Sequence, residues 1–442
     1  MVPWYDDPRT PMSMIGFFGQ PSERVIFFTL AQLCVIILAA RVAGHIAVRV
    51  GQAAVVGEII AGILLGPSLF GLAMPVPFHW VFYSIPSGSL DILSQLGLIL
   101  LMFQVGLEFD FSHLKESTNR RAVLWIAAAS LALPFVTGLG VGFMGAPLLS
   151  PLADRWTSAL FVATAFSITA VPVLGRIMME LGMTRSRLGV IAISAAAMND
   201  VVGWLLLAVV TALTLARFQW STFLVNVLLV LLFVLVWLLV VRPLTKSVMR
   251  YFNAGPEMSP TLLGGILVSI FVSGMMTSLL GIFTIFGGFV MGAILHDERA
   301  FVKMWQEHVA PFVLVFFLPI FFTYTGLRTD IAGLDGAVLW MWCGLILVSA
   351  TVAKFVGAYA AARIAGLNHQ EGKIIGIMMN TRALMELIVI NVGYDMGAIS
   401  EHIFTMLVIM AIVSTVITTP LLRIWLPRNR MQSEKRVSPS EC

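Results

Sequence analysis

Residues 186–210 read SRLGVIAISAAAMNDVVGWLLLAVV, a long apolar stretch carrying a single acid, Asp200. As a helix it is long enough to cross a hydrocarbon layer of roughly 30 Å. Asp200 lies 13 residues beyond Arg187, which at a rise of ~1.5 Å per residue places it about 20 Å from that end, close to the midplane. An ionisable group at that depth costs several kcal/mol, so it requires a partner, an aqueous cavity or a function. The run Ser194 to Ala197 before it is unusually small, which lets another backbone approach closely.

Immediately upstream, residues 163–175 read ATAFSITAVPVLG, with Thr164, Ser167 and Thr169 followed by Pro172 inside an otherwise apolar span. Proline removes a backbone donor and disrupts the preceding turn, freeing carbonyls that hydroxyls and cavity water can satisfy. The pattern predicts an interrupted helix. A second one is predicted at residues 376–391, GIMMNTRALMELIVIN, where the polar triplet Asn380-Thr381-Arg382 is followed by Glu386 one turn later on the same face.

The rest of the chain has the same character. Of 442 residues 59% are apolar and 11% charged, against roughly a quarter charged in a soluble domain. Apolar blocks fall at about 24–43, 51–70, 90–108, 120–143, 156–179, 187–215, 221–247, 258–279, 281–296, 308–327, 336–362, 373–394 and 401–425. The reading is an all-α polytopic membrane protein of about 13 transmembrane helices. Of the 27 basic residues, an N-out arrangement puts Arg9, Arg24, Arg155, Arg217 and Arg328 outside and leaves Lys354 and Arg382 within spans. The remaining twenty, Lys115 and Arg185 among them, fall inside. This bias predicts an outer N-terminus and a cytoplasmic C-terminus. It also requires the Leu279–Gly281 break to separate two spans.

Residues 1–22 read as a short outer segment without a cleavable leader, residues 23–425 as the transmembrane unit, and 426–442 as a cytoplasmic tail too short for a soluble domain. Basic residues confined to short loops give no nucleic-acid surface. Cys34, Cys343 and Cys442 have no metal-site spacing, and the histidines, His113 included, fall at span ends or in loops. No cofactor and no enzymatic site are expected.

The deep charges are few: Asp200, Lys354, Arg382, Glu386 and Glu58. Lys354 lies nine residues before Arg363, roughly 14 Å from the inner end, so that it and Asp200 are able to meet in one central cavity. Arg382 and Glu386 most simply form an i, i+4 pair. Glu58 either lines an inner vestibule or packs between helices. The two interrupted helices stand at corresponding places in groups of three spans, about 120–215 and 336–425, that run in opposite directions. Inverted repeats with crossed discontinuous helices are the architecture of several secondary transporters.

The segments SITAVPVLGRIMMELG (167–182) and ISAAAMNDVVGW (193–204) resemble the signature of the second monovalent cation:proton antiporter family. VGEIIAGILLGPSLFG (56–71), LSQLGLILLMFQVGLEFD (93–110), LPIFFTYTGLRTDI (318–331), AKFVGAY (353–359) and NTRALMELIVINVG (380–393) resemble its other blocks, in the family's order. The resemblance implies a homodimer of thirteen-helix protomers in a lipid bilayer, each with a dimerisation domain and a sliding core. It implies that Asp200 is the carboxylate for cation and proton, Asn199 its neighbour in the Asn-Asp version of the motif, and Lys354 the lysine of the eleventh span. A single acid in place of the paired acids of some relatives points to electroneutral exchange of Na+ or K+ for H+ in a bacterial inner membrane.

On this reading the cation and proton compete for Asp200, with Asn199, Thr164, Ser167 and Thr169 as candidate oxygen ligands and Lys354, Arg382 and Glu386 compensating charge at half-helix ends. For each hydroxyl the competing reading is a back-bond within its own helix, and for Asn199 a bridge between helices. Alternatives for the whole protein are a cation-coupled symporter of a small organic anion on the same fold, a potassium efflux system, or a channel.

Overall fold

The computed structural model describes residues 21–85, 88–108, 120–181, 183, 186–215, 220–252, 259–280, 283–382 and 384–425. The segments 1–20 and 426–442, and with them Arg9 and Cys442, lie outside the described residues, as do His113, Lys115, Arg185 and Arg217.

Every regular element among the described residues is a helix. Helix α1 (Pro21–Arg49) turns back at Gly51, whose φ of 81° is left-handed, into α2 (Ala54–Leu64). A short α3 (Pro75–Phe82) precedes α4 (Gly88–Glu108) and α5 (Arg120–Leu149). The fifth apolar block is split into α6 (Arg155–Ser167) and α7 (Val171–Glu180) and is followed by α8 (Arg187–Leu215). Helix α9 (Trp220–Val236) continues through a wider turn into α10 (Arg242–Phe252). Then come α11 (Pro260–Leu279), α12 (Thr284–Leu295), α13 (Arg299–His308) and α14 (Ala310–Leu327). The chain ends with α15 (Ala337–Ile364), the pair α16 (His369–Met379) and α17 (Leu384–Asp395), and α18 (Glu401–Trp425).

Among the described residues nine helices are long and apolar enough to cross a membrane, or ten when the α16–α17 pair, bent by 42°, counts as one span. Three of the thirteen apolar blocks hold shorter helices instead. They are α2, α12 and the split α6–α7, at 51–70, 281–296 and 156–179. The break near Leu279 is a helix end, since α11 stops there and α12 begins at Thr284. Helices α3 and α13 lie outside the apolar blocks. Helix α13 buries Phe301, Met304 and Trp305 on one face and leaves its charged residues on the other. Beside it, Asp297 accepts from Arg242 at 2.7 Å and Lys246 at 2.6 Å. Burial pushes this carboxyl up, and the two donors outweigh that and hold it below the usual range.

The helices sort into two packed groups. Helices α1, α2, α4, α12 and α14 lie on one another, with α11 against α12. Helices α5–α8 pack with α15–α18, and α5 lies along α15. Apolar side chains gain little by leaving lipid for protein, so close backbone approach through small residues carries such packing. In the first group a Cβ on Gly326 would lie 2.8 Å from Ile63 Cα and closer still to the Gly62 carbonyl. Gly106 and Gly292 are in similar contact between α4 and α12.

Adding one methyl group at this contact forces α2 and α14 apart. Gly326→Ala is expected to destabilise the protein by about 1–3 kcal/mol, measured as thermal unfolding in detergent. Gly344→Ala, where a Cβ meets nothing within 4 Å, should leave the transition unchanged.

Candidate functional site

Two local signals produce the breaks. Helix α6 is capped at its start by Asp154, which accepts from Thr157 N–H at 2.9 Å. It ends at Ser167, and Ile168 is already extended at ψ 146°. Pro172 is the second residue of α7, where a missing N–H leaves no hydrogen bond unmade. Helix α16 starts from a capping box of Asn368 and Glu371 and ends at Asn380. Helix α17 resumes at Leu384.

The two breaks meet. Ala170 N–H donates to the Thr381 carbonyl at 3.0 Å, and Thr169 Oγ1 donates to the Met379 carbonyl at 3.3 Å. Four half-helix ends therefore converge at one buried point, two exposing carbonyls and two exposing N–H groups. An end of either kind carries about half a charge, so each attracts a compensating side chain.

The carbonyl end of α6 receives two cations. Arg382 donates to Ala165 O and Phe166 O, each at 3.1 Å, and the Lys354 ammonium donates to Ser167 O. Arg382 also donates to Ala350 O at 3.2 Å and pairs with Glu386 at 3.0 Å. Both members of that pair are essentially inaccessible to solvent, as is Lys354. The N–H end of α7 faces an acid: Asp200 lies beside the Val171 N–H and within electrostatic reach of Lys354. Glu386 stands in the first turn of α17, at the corresponding N–H end of the second break. The acids thus sit at the positive ends and the bases at a negative end.

Asp200 itself is 4% exposed, and its Oδ1 has no hydrogen-bond partner among the described residues. Its neighbour Asn199 uses its amide nitrogen as a bridge, donating to Ser130 Oγ at 2.8 Å and to Thr169 Oγ1 at 3.5 Å. Thr164 and Ser167 back-bond to Leu160 O and Ala163 O, each at 2.8 Å, while Thr169 crosses to the other break. The structure thus brings Asp200, Asn199, Thr169, Ser167, Lys354, Arg382 and Glu386 into one connected cluster.

Glu58 is placed elsewhere. It is buried between α1 and α2 and pairs with Arg41 at 2.8 Å. Ser130, on α5, escaped the sequence reading. A lone serine in an apolar span gives no signal of its own, and only the packing of α5 against α8 reveals its bond to Asn199. Cys343 is a buried free thiol, and no group of His, Cys, Asp and Glu among the described residues has metal-site geometry.

Residues 34–427 match the family described as "Sodium/hydrogen exchanger, transmembrane". The chain belongs to the sodium/hydrogen exchanger family. Within it, the chain is similar to the Na(+)/H(+) antiporter NhaS4 of Synechocystis, with 38% identity over 400 residues that cover 90% of this chain and 96% of the relative. It is also similar to Cation/H(+) antiporter 17 of Arabidopsis thaliana, 36% identical over 404 residues, 91% of this chain and 48% of the relative. The chain therefore spans about half the length of that plant relative. The solved structure of the sodium proton antiporter MjNhaP1 from Methanocaldococcus jannaschii matches with a TM-score of 0.62 at 16% identity, over 91% of this chain and 96% of that one. At that identity the match shows a shared fold.

The Arg382–Glu386 pair holds the crossing together, and its members are not removable one at a time. Arg382→Met leaves Glu386 buried without its cation and three carbonyls without the guanidinium donor, at a cost of about 3–5 kcal/mol. Arg382→Met combined with Glu386→Met should recover part of that loss in thermal unfolding of detergent-solubilised protein. A single variant as stable as the double one would contradict this account of the pair.

Proposed function

We propose that this protein is a secondary antiporter that exchanges a monovalent cation, Na+ or K+, for H+, one for one, with both ions competing for Asp200. The observation that carries the reading is the setting of this carboxylate. It is buried at the N–H end of a half-helix, beside a lysine anchored to the carbonyl end of the other half, and it keeps an oxygen that no group among the described residues satisfies.

Either ligand neutralises the carboxylate, so the two loaded forms carry the same net charge and cross the membrane equally well. The empty anion must cross unneutralised in low dielectric, and that barrier suppresses uncoupled return. Alkali cations are hard and prefer oxygen ligands. Asp200 and Thr169 supply them here, while Asn199 orders the site through Ser130. Thr164 and Ser167 contribute through back-bonds that stiffen the end of α6. Arg382, Lys354 and Glu386 hold the half-helix ends at fixed charge, leaving Asp200 as the group whose occupancy changes.

Alternating access requires the two helix groups to part at each end in turn. At one end Arg328, following α14, pairs with Asp395 of α17 at 2.6 Å, and Asn391 donates to Thr325 Oγ1 at 2.9 Å. At the other end Gln52 donates to the Val416 carbonyl of α18 at 3.0 Å. These contacts lie at opposite ends of α2, since Gln52 precedes it and Ser68 beyond it bonds the Thr329 carbonyl at 2.9 Å. We place the N-terminus outside and the C-terminus in the cytoplasm, on the charge bias of the loops. The protein is read as a homodimer of thirteen-span protomers in a bacterial inner membrane, the α5–α8 and α15–α18 group acting as the moving core.

Proton flux in proteoliposomes tests the reading, with lithium, sodium, potassium and rubidium supplied in turn. Cation-dependent flux is expected from the wild type and none from Asp200→Asn, which should remain folded and monodisperse. Full exchange by Asp200→Asn would overturn the assignment. Under fixed ion gradients, an imposed membrane potential should not change the rate, and a response to it would contradict one-for-one exchange.

A further inference from the structure

Asn380 caps the end of α16, is fully buried, and neither its Nδ2 nor its Oδ1 has a hydrogen-bond partner among the described residues. A primary amide offers two donors and two acceptor lone pairs. Leaving them unmet in a low dielectric costs about 1–3 kcal/mol per group, whereas a leucine of similar shape would cost nothing. A buried amide with neither atom bonded among the described residues is therefore open to a non-protein ligand.

Its backbone neighbours place it beside the other break. The residue before it, Met379, accepts from Thr169 Oγ1, and the residue after it, Thr381, accepts from Ala170 N–H. Residue 380 is thus tied on both sides to the break that presents Asp200 and Asn199. Thr169 accepts from Asn199, and Val171, next to Ala170, lies beside Asp200. Other buried polar atoms at the same crossing are also unpartnered: Asp200 Oδ1, Thr381 Oγ1 and Glu386 Oε2. Orphaned oxygens from the α16–α17 break and from Asp200 of α8 belong to this one crossing.

We propose that Asn380 is a selectivity-determining ligand, whose amide oxygen joins the Asp200 carboxylate in coordinating the transported alkali cation. This deepens the antiporter reading and rests on it. The amide is neutral, so its participation leaves the charge balance of a one-for-one exchange intact. It adds an oxygen to the shell, and the number of oxygens decides how much of its hydration a cation recovers on entry. Small cations give up the most hydration and depend most on each replacement oxygen. Asn380 therefore favours lithium and sodium over potassium and rubidium.

The test measures the apparent KM for each of the four cations in proteoliposomes, for wild type, Asp200→Asn and Asn380→Leu, with Asn380→Ala beside them should the leucine variant fail to remain monodisperse. Removing the oxygen should raise the KM for sodium about tenfold, and less for rubidium, so the ratio between them shifts. Thermal stability should hold or rise, because an unsatisfied amide has gone. If wild type exchanges and Asp200→Asn does not, while the Asn380 variant keeps all four KM values and their order, Asn380 holds only water and the inference fails alone. If Asp200→Asn also exchanges, the antiporter site itself is misassigned. A uniform loss of maximal rate at unchanged KM would assign Asn380 to structure, and would equally overturn the proposal.

Discussion

Two helices that stop halfway through a membrane leave eight or so backbone groups without partners on each broken strand of helix, in a medium where water is scarce. Everything at the centre of this protein follows from that constraint. The carbonyls of Ala165, Phe166 and Ser167 are met by Arg382 and Lys354, drawn from two other helices. The N–H end of α7 has Asp200 beside it, and that of α17 has Glu386 in its first turn. These charges are tolerated because the broken ends need them, and the broken ends are tolerated because the charges are there.

The arrangement also separates structure from function among chemically similar groups. Arg382 and Glu386 are joined to each other, and Arg382 to three carbonyls besides. Removing Arg382 breaks several contacts at once and leaves Glu386 without its cation. Asp200 lies beside the N–H end of α7, and its Oδ1 has no hydrogen-bond partner among the described residues. Where Glu386 is tied to a guanidinium, Asp200 keeps an oxygen for a ligand that exchanges. Lys354 lies between the two conditions, bonded to a carbonyl yet within electrostatic reach of Asp200, Arg382 and Glu386.

Much of this centre was legible in the sequence because a charge or a proline inside an apolar block is costly and therefore conspicuous. Asp200, Lys354, Arg382 and Glu386 stood out in that way, and both interruptions were marked by Pro172 and by the Asn380-Thr381-Arg382 triplet. The i, i+4 spacing of Arg382 and Glu386 was enough to suggest their pairing. Partners distant in sequence were not legible. Nothing local ties Arg382 to carbonyls 216 and 217 residues away, or Asn199 to Ser130. Glu58 had two readings from sequence, and only the packing of α1 on α2 supplies Arg41. Helices α3 and α13 were missed because both are short, α3 opening on two prolines and α13 carrying charges on one face, and the length criterion for spans does not register them.

The central claim is that one buried carboxylate holds either a proton or an alkali cation, never both. Calorimetry of cation binding to the purified protein in detergent, repeated in buffers of different ionisation enthalpy, measures how many protons leave as the cation enters. The account predicts about one proton released per cation bound by the wild type at a pH where Asp200 is protonated, and no cation binding by Asp200→Asn. Cation binding without proton release, or undiminished binding by Asp200→Asn, would contradict it.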